Sequence, residues 1–284
     1  ALSGAAAISV VQTVTDGDGD TASATSANAL GITFEDDGPK AEAVAGATAT
    51  VLLDESDGTG SGADGVNPGT ISGAVISALF AAPAYGADGA GSVAYTLSAT
   101  DGAQTGLWLT GESAPGDEII LVKVSDTEYQ GVAGGAGGTP AFTISIDGAT
   151  GAVTVTQHET LEHTVDGAAH DDALALSGTA AISVVQTVTD GDGDTASATS
   201  ANALGITFED DGPKAEAVAG ATATVLVDES DGTGSGADGV NPGTIPGADI
   251  QSLFAAPAYG ADGAGSVAYT LSATDGAQTG LWLT

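Results

Sequence analysis

Three aspartates stand on alternate residues in Thr15-Asp16-Gly17-Asp18-Gly19-Asp20-Thr21, and three acids stand side by side in Phe34-Glu35-Asp36-Asp37-Gly38-Pro39. Both stretches recur, with Asp190, Asp192 and Asp194 in the first and Glu209, Asp210 and Asp211 in the second. No Lys or Arg lies within either stretch to neutralise them. Alternating carboxylates on a glycine-softened turn offer the hard oxygen ligands that Ca²⁺ takes. The turn is not an EF-hand, which needs Gly at its sixth position and Glu at its twelfth, where Thr21 and Ala27 stand. A solvated Asp-Gly hairpin turn is the plain alternative. Three alternating acids with no intervening cation favour calcium.

Two further groups could do chemistry. Asp54-Glu55, repeated as Asp228-Glu229, ends a strand-like run and is placed to face the linker Glu209–Asp211. His158, His163 and His170 are the only histidines and lie among Glu159, Glu162, Asp171 and Asp172. Their spacing fits no zinc motif, so exposed edge or loop histidines are expected. Asp57 and Asp64 read as ordinary loop residues. Trp108 and its copy Trp282, like Tyr85 and Tyr259, read as core packing before sugar stacking. No Ser-His-Asp constellation, phosphate loop or acid pair in an apolar pocket can be assembled, so an enzyme is not expected.

The elements that position these residues come from a repeat. Residues 1–110 recur as residues 175–284, a period of 174 residues. Six positions differ: Ala5/Thr179, Leu53/Val227, Ser72/Pro246, Val75/Asp249, Ser77/Gln251 and Ala78/Ser252. A period this long is a whole domain, since solenoid repeats run to roughly 50 residues. The divisions expected are 1–37 as the end of one module, 38–211 as a complete module and 212–284 as the start of the next.

Ala6–Thr15 alternates apolar and polar residues, as a half-buried strand does, and Thr21–Phe34 reads as its return strand across the acidic tip. Glu35–Pro39 breaks the pattern, because proline cannot donate to a ladder. Strand-like runs follow at Lys40–Leu53, Ser92–Ala99, Glu118–Ser125, Ala141–Ile146 and Ala152–Gln157. The last two are joined by Asp147-Gly-Ala-Thr-Gly151. Ser56–Thr70 reads as a loop, and Ile71–Phe80 can hold a short surface helix. Many short strands with Gly, Pro and Asp punctuation indicate an all-β chain: antiparallel immunoglobulin- or cadherin-like β-sandwich modules in tandem. In such a module the hairpin tip at Asp190–Asp194 points back to the pole where the linker Glu35–Asp37 enters. Those carboxylates are then expected to share calcium and stiffen the junction.

Charge narrows the partners. Acids outnumber bases 38 to 3, for a formal net charge of −35. Phosphate binding needs clustered Lys and Arg, so nucleic acid is not an expected partner, and an anionic membrane surface is disfavoured likewise. The uncharged run Val66–Ala87 is broken by Pro and Gly, so direct membrane insertion is not expected. Such lopsided charge opposes a compact fold by self-repulsion, which bound divalent ions or high salt would relieve. An acidic, salt-adapted surface is therefore the other reading of the carboxylates. Cysteine is absent, which excludes a disulfide framework and leaves metal as a source of rigidity.

A strand pair carrying V-T-D-G-D-G-D-T-A and closed by F-E-D-D-G-P resembles the tandem extension repeats of giant type I-secreted RTX adhesins of Gram-negative bacteria. The FTISIDGATGAVTVT hairpin belongs to the same resemblance. It implies secretion through a type I system, folding in external calcium, and a stalk that holds ligand-binding domains away from the cell surface in biofilms. It also implies a calcium role for Asp16, Asp18, Asp20, Asp190, Asp192, Asp194 and the two Glu-Asp-Asp linkers. Neighbouring repeats of the same chain are then the principal partners. A calcium-dependent extracellular filament or surface layer, assembled laterally or end to end, is the alternative. A carbohydrate-binding module using Trp108 is a lesser one.

Overall fold

The computed structural model describes residues 2–55, 66–114, 116–163, 172–227 and 242–282. Two strands, β1 (Val11–Thr15) and β2 (Thr21–Thr25), form an isolated antiparallel hairpin near the start. The next strands are β3 (Thr50–Asp54) and β4 (Gly69–Ile71), followed by the short helix α1 (Gly73–Ser77) and β5 (Ala90–Ser98). Then come β6 (Ile120–Ser125), β7 (Glu128–Ala133), β8 (Thr139–Ile146) and β9 (Val153–Gln157). The repeat begins again through β10 (Ala173–Ala175), β11 (Ser183–Asp190), β12 (Thr195–Thr199) and β13 (Gly205–Glu209), and a second short helix, α2, covers Gly247–Gln251.

The chain is all-β in character, with strands in several sheets and few helical turns. A five-stranded sheet runs in the order β4-β9-β8-β7-β6, and two three-stranded sheets run β12-β11-β5 and β10-β13-β3. Alternation along each strand sends one face inward: β11 buries Val184, Gln186 and Val188, and β8 buries Phe142, Ile144 and Ile146. Val184 meets Phe142, Ile144 and Ile146 in a core whose buried members run from Ala49 to Phe208. Phe142 and Phe208 pack at 5.0 Å between centroids and join the five-stranded sheet to β13.

Local chemistry explains several turns. Asp147 Oδ1 accepts from the Ala149 and Thr150 N–H groups at 3.0 and 2.7 Å, which closes the loop between β8 and β9. These donors hold the Asp147 carboxyl below its usual range. Ser72 caps α1, accepting from Val75 N, while Ile76 faces inward. The four repeat differences at Ser72, Val75, Ser77 and Ala78 all fall on exposed positions.

Three expectations need correction. The return strand expected over Thr21–Phe34 is broken in its complete copy, where β12 and β13 belong to different sheets. Ser200 makes the break: its Oγ donates to the Asn202 carbonyl at 2.7 Å and accepts from Val184 N at 3.2 Å. The fold is not wholly antiparallel either, because β13 runs parallel to β3 over Gly205–Glu209 and Thr50–Asp54. Finally, Gly69–Ile71, partly read as loop, pairs with β9, and Glu128–Ala133 is a strand.

The same sequence meets different surroundings in the two copies. The β1–β2 hairpin is exposed throughout, whereas its copy β11 is paired on both sides by β12 and β5. Phe34 is 77% exposed and its copy Phe208 is 0%. The copy of β5, residues 264–272, forms no strand, and Val267, Tyr269 and Leu271 are exposed there. No helix among the described residues is long and apolar enough to cross a membrane.

Candidate functional site

Strand β11 ends at the acidic tip, where the register shifts between Thr189, opposite Ser92, and Asp190, opposite Ala90, leaving Gly91 as the extra residue on β5. Such a bulge re-aims a side chain. Asp190 is only 3% exposed. Its Oδ1 accepts from Gly193 N at 3.1 Å and Asp194 N at 2.8 Å. Its Oδ2 is buried with no hydrogen-bond partner among the described residues.

Four other carboxylates join it. Ligand oxygens of Asp36, Asp192 and Asp194 lie within 4.8 Å of one another, as do those of Asp88, Asp190 and Asp192. Thus the linker, the loop before β5 and the hairpin tip bring five aspartates together. Glycine makes the approach possible. A Cβ at Gly191 would strike the Asp88 carbonyl, and one at Gly91 would strike the Asp190 carbonyl. The linker is held by Ala87 N donating to the Asp37 carbonyl at 3.2 Å, against Gly86 at φ +69°.

The electrostatics follow from this crowding. Asp88 and Asp194 are each held above the usual carboxylate range by carboxyl–carboxyl hydrogen bonding to Asp36, then by the charge of Asp192. Asp192 is raised first by its close carboxyl contact with Asp190, then by loss of solvation and by the Asp190 charge. Like charges this close repel, and a cation between them would relieve that repulsion. The donor set is oxygen only, which suits a hard dication.

A second cluster lies where β3 and β13 end together. Their parallel register sets Asp54 opposite Glu209, so Glu55 and Asp210 leave the sheet side by side. Glu55, His163 and Asp210 each offer a ligand atom within 4.8 Å of the others. Burial pushes the Glu55 carboxyl up to about 7, against the pull of the Leu161 N–H, the nearby His163 and the Gln157 amide. Burial also raises Asp210.

The remaining expected residues fall as follows. Asp16, Asp18 and Asp20 form an exposed group of their own, where a hydrogen bond with Asp18 and the Asp20 N–H hold Asp16 below its usual range. Glu35 and Asp37 are exposed and join no cluster among the described residues. Asp54 is buried within the strand pair, and Glu209 and Asp211 flank Asp210 outside the grouped ligands. Asp228, Glu229, His170, Asp57 and Asp64 lie outside the described residues. Trp108 is partly buried, its indole N–H donating to the Ala114 carbonyl at 3.0 Å.

Two participants escaped the sequence reading. Asp88 stands in an Asp-Gly pair like many others in the chain, and no signal separates it. His163 was expected on the surface and is only 8% exposed. A histidine six residues after the end of β9 could have been traced to the pole where β3 ends, had the parallel pairing been foreseen.

The family described as a domain of unknown function (DUF5801) matches residues 50–201. The chain belongs to this family. The DUF5801 match opens with β3 and closes just after β12, so it contains Glu55, Asp88, His163 and the tip Asp190–Asp194. It leaves the linker carboxylates Asp36 and Asp210 outside. No curated protein and no solved structure matches the chain.

Proposed function

We propose that the chain is a stretch of an extracellular stalk, built of tandem β-sandwich modules whose junctions are stiffened by Ca²⁺. The modules run 1–37, 38–211 and 212–284, and their two-layered plan is immunoglobulin- or cadherin-like. The observation that carries the reading is the convergence on Asp190, whose buried, unpartnered Oδ2 stands among Asp36, Asp88, Asp192 and Asp194. The linker residue Asp36 belongs to this group, so an ion held there would tie the linker to the module it enters. A spacer needs length and stiffness more than distinct sites, which fits two copies differing at six positions. The resemblance to RTX adhesin repeats supports secretion by a type I system, a Gram-negative cell surface and a role in adhesion and biofilm. It also fits a protein without catalytic activity.

Thermal unfolding with and without millimolar calcium, alongside small-angle scattering, tests the proposal. A ligand that binds only the folded state stabilises it by about 2.7 kcal/mol at a hundredfold excess over its Kd. A rise in Tm of roughly 5–10 °C, with extension to one stiff rod, is expected for a single such site. Equal response to sodium chloride and none to calcium would instead make the carboxylates a salt-adapted coat.

A filament is the second reading, and one observation favours it. The pairing partner of β11 is β5, while β1 and residues 264–272 repeat those two sequences without pairing to each other. An exposed strand is a template for pairing, and β1 could recruit from another copy the segment that β11 finds in β5. Concentration-dependent growth on adding calcium, measured by sedimentation, would favour the filament over a monomeric stalk.

A further inference from the structure

We propose that Glu55, His163 and Asp210 form a second, chemically different metal site that takes a transition-metal dication of the zinc class. Within this chain it shares no residue with the carboxylates gathered around Asp190.

The donor set decides the class. Calcium takes oxygen ligands, whereas an imidazole nitrogen with carboxylates suits zinc and its neighbours. His163 is held as a ligating histidine is held. Its Nδ1 lies 3.1 Å from the Leu161 carbonyl, the contact by which a second-shell acceptor orients a ligating imidazole and frees the other nitrogen for metal. Nε2 has only a long 3.5 Å approach to the Phe208 carbonyl, an acceptor that offers it no proton.

The carboxylates are held in the same way. Glu55 Oε1 accepts from Gln157 Nε2 at 2.6 Å and from Leu161 N at 2.7 Å, so its orientation is set by two donors. Its other oxygen, Oε2, and Asp210 Oδ1 are buried without hydrogen-bond partners among the described residues. The backbone is pinned on both sides: Glu55 N donates to the Glu209 carbonyl at 3.2 Å, and Asp210 N donates to the Asp172 carbonyl at 2.8 Å. A buried imidazole that is more than nine-tenths enclosed, with two orphaned carboxylate oxygens beside it, is a preformed ligand set rather than an accident of surface acids. A groove of about 330 Å³, lined by Trp108, Glu112, Glu162 and His163, lies beside the imidazole.

The test uses the whole chain saturated with calcium and titrated with Zn²⁺ by calorimetry. The wild-type chain is expected to bind a zinc equivalent that millimolar calcium does not displace. His163→Gln should weaken it by at least about tenfold, as loss of a ligand costs no less than loss of its supporting partner. His158→Gln, at an exposed position, should leave it unchanged. Asp190→Asn should abolish the calcium-induced rise in Tm and leave zinc binding intact, which separates this site from the other. Should His163→Gln fail to fold, Co²⁺ in the wild-type chain reports directly, because pulsed electron paramagnetic resonance detects imidazole nitrogen on the metal. Zinc binding of equal strength in His163→Gln, displacement by calcium, absence of zinc binding, or Co²⁺ without nitrogen coupling would each overturn the assignment.

Discussion

Asp88 and Asp190 meet across a backbone contact that only glycine permits, because a Cβ at Gly191 would strike the Asp88 carbonyl and one at Gly91 the Asp190 carbonyl. Two loops far apart in the chain are thereby locked with their carboxylates facing. Gly191→Ala should push them apart. We expect calcium affinity to fall by about tenfold or more and the metal-free chain to lose about 1–3 kcal/mol, the usual cost of overpacking. Calorimetry and denaturant unfolding on the same variant check both figures.

Asp190→Asn isolates the ion from the fold. An amide oxygen can still accept from Gly193 N and Asp194 N, so the turn should persist. Removing one of several crowded charges should leave the metal-free Tm unchanged or slightly raised, while the calcium-dependent gain disappears. Asp16→Asn, in the exposed copy, should alter neither Tm. A metal-free Tm that falls sharply in Asp190→Asn would mean the carboxylate serves the turn alone.

The pH dependence of the metal-free chain has a defined sign. Burial holds Glu55 at about 7, above its ordinary 4.5. The folded state therefore binds this proton more tightly than the unfolded state does. The contribution is full below about pH 4.5 and is lost as pH rises through about 7. Its size is on the order of 2–3 kcal/mol. Urea unfolding in chelator at about pH 5 and about pH 8 should show this loss, and Glu55→Gln should flatten it.

Core substitutions should separate the two copies. Phe208→Ala should cost about 3–5 kcal/mol, because the ring is buried against Phe142. Phe34→Ala, the same change in the other copy, should stay within about 0.5 kcal/mol, as exposed substitutions do. Equal effects would show that residues 2–37 have a core of their own.

Much of this was legible from residue order. The hairpin at Asp190–Asp194, the Asp147 turn between β8 and β9 and the short helix after Ile71 each carry local signals: Asp-Gly tips, alternating β-branched residues and a capping serine. What escaped depends on contacts distant in sequence. The break at Ser200 needs the Val184 N–H to meet its hydroxyl, and the parallel pairing of β3 with β13 leaves no trace in either strand. The burial of His163 follows from that pairing, so an unremarkable histidine spacing concealed it. Asp36 could be placed beside the tip by topology, but Asp88 could not, since its partner is set by glycine contacts alone.

Asp36 and Asp210 are one residue of the repeat seen from two sides. Asp36 groups with Asp192 and Asp194, which follow it in the chain, and Asp210 groups with Glu55 and His163, which precede it. In the tandem array proposed above, a single aspartate would stand between both groups. The two metals would then be coupled like adjoining links that share a pin: filling one fixes the carboxylate for the other. Stripping either would slacken both, so the bending stiffness of an array should collapse over a narrower range of chelator than independent sites allow.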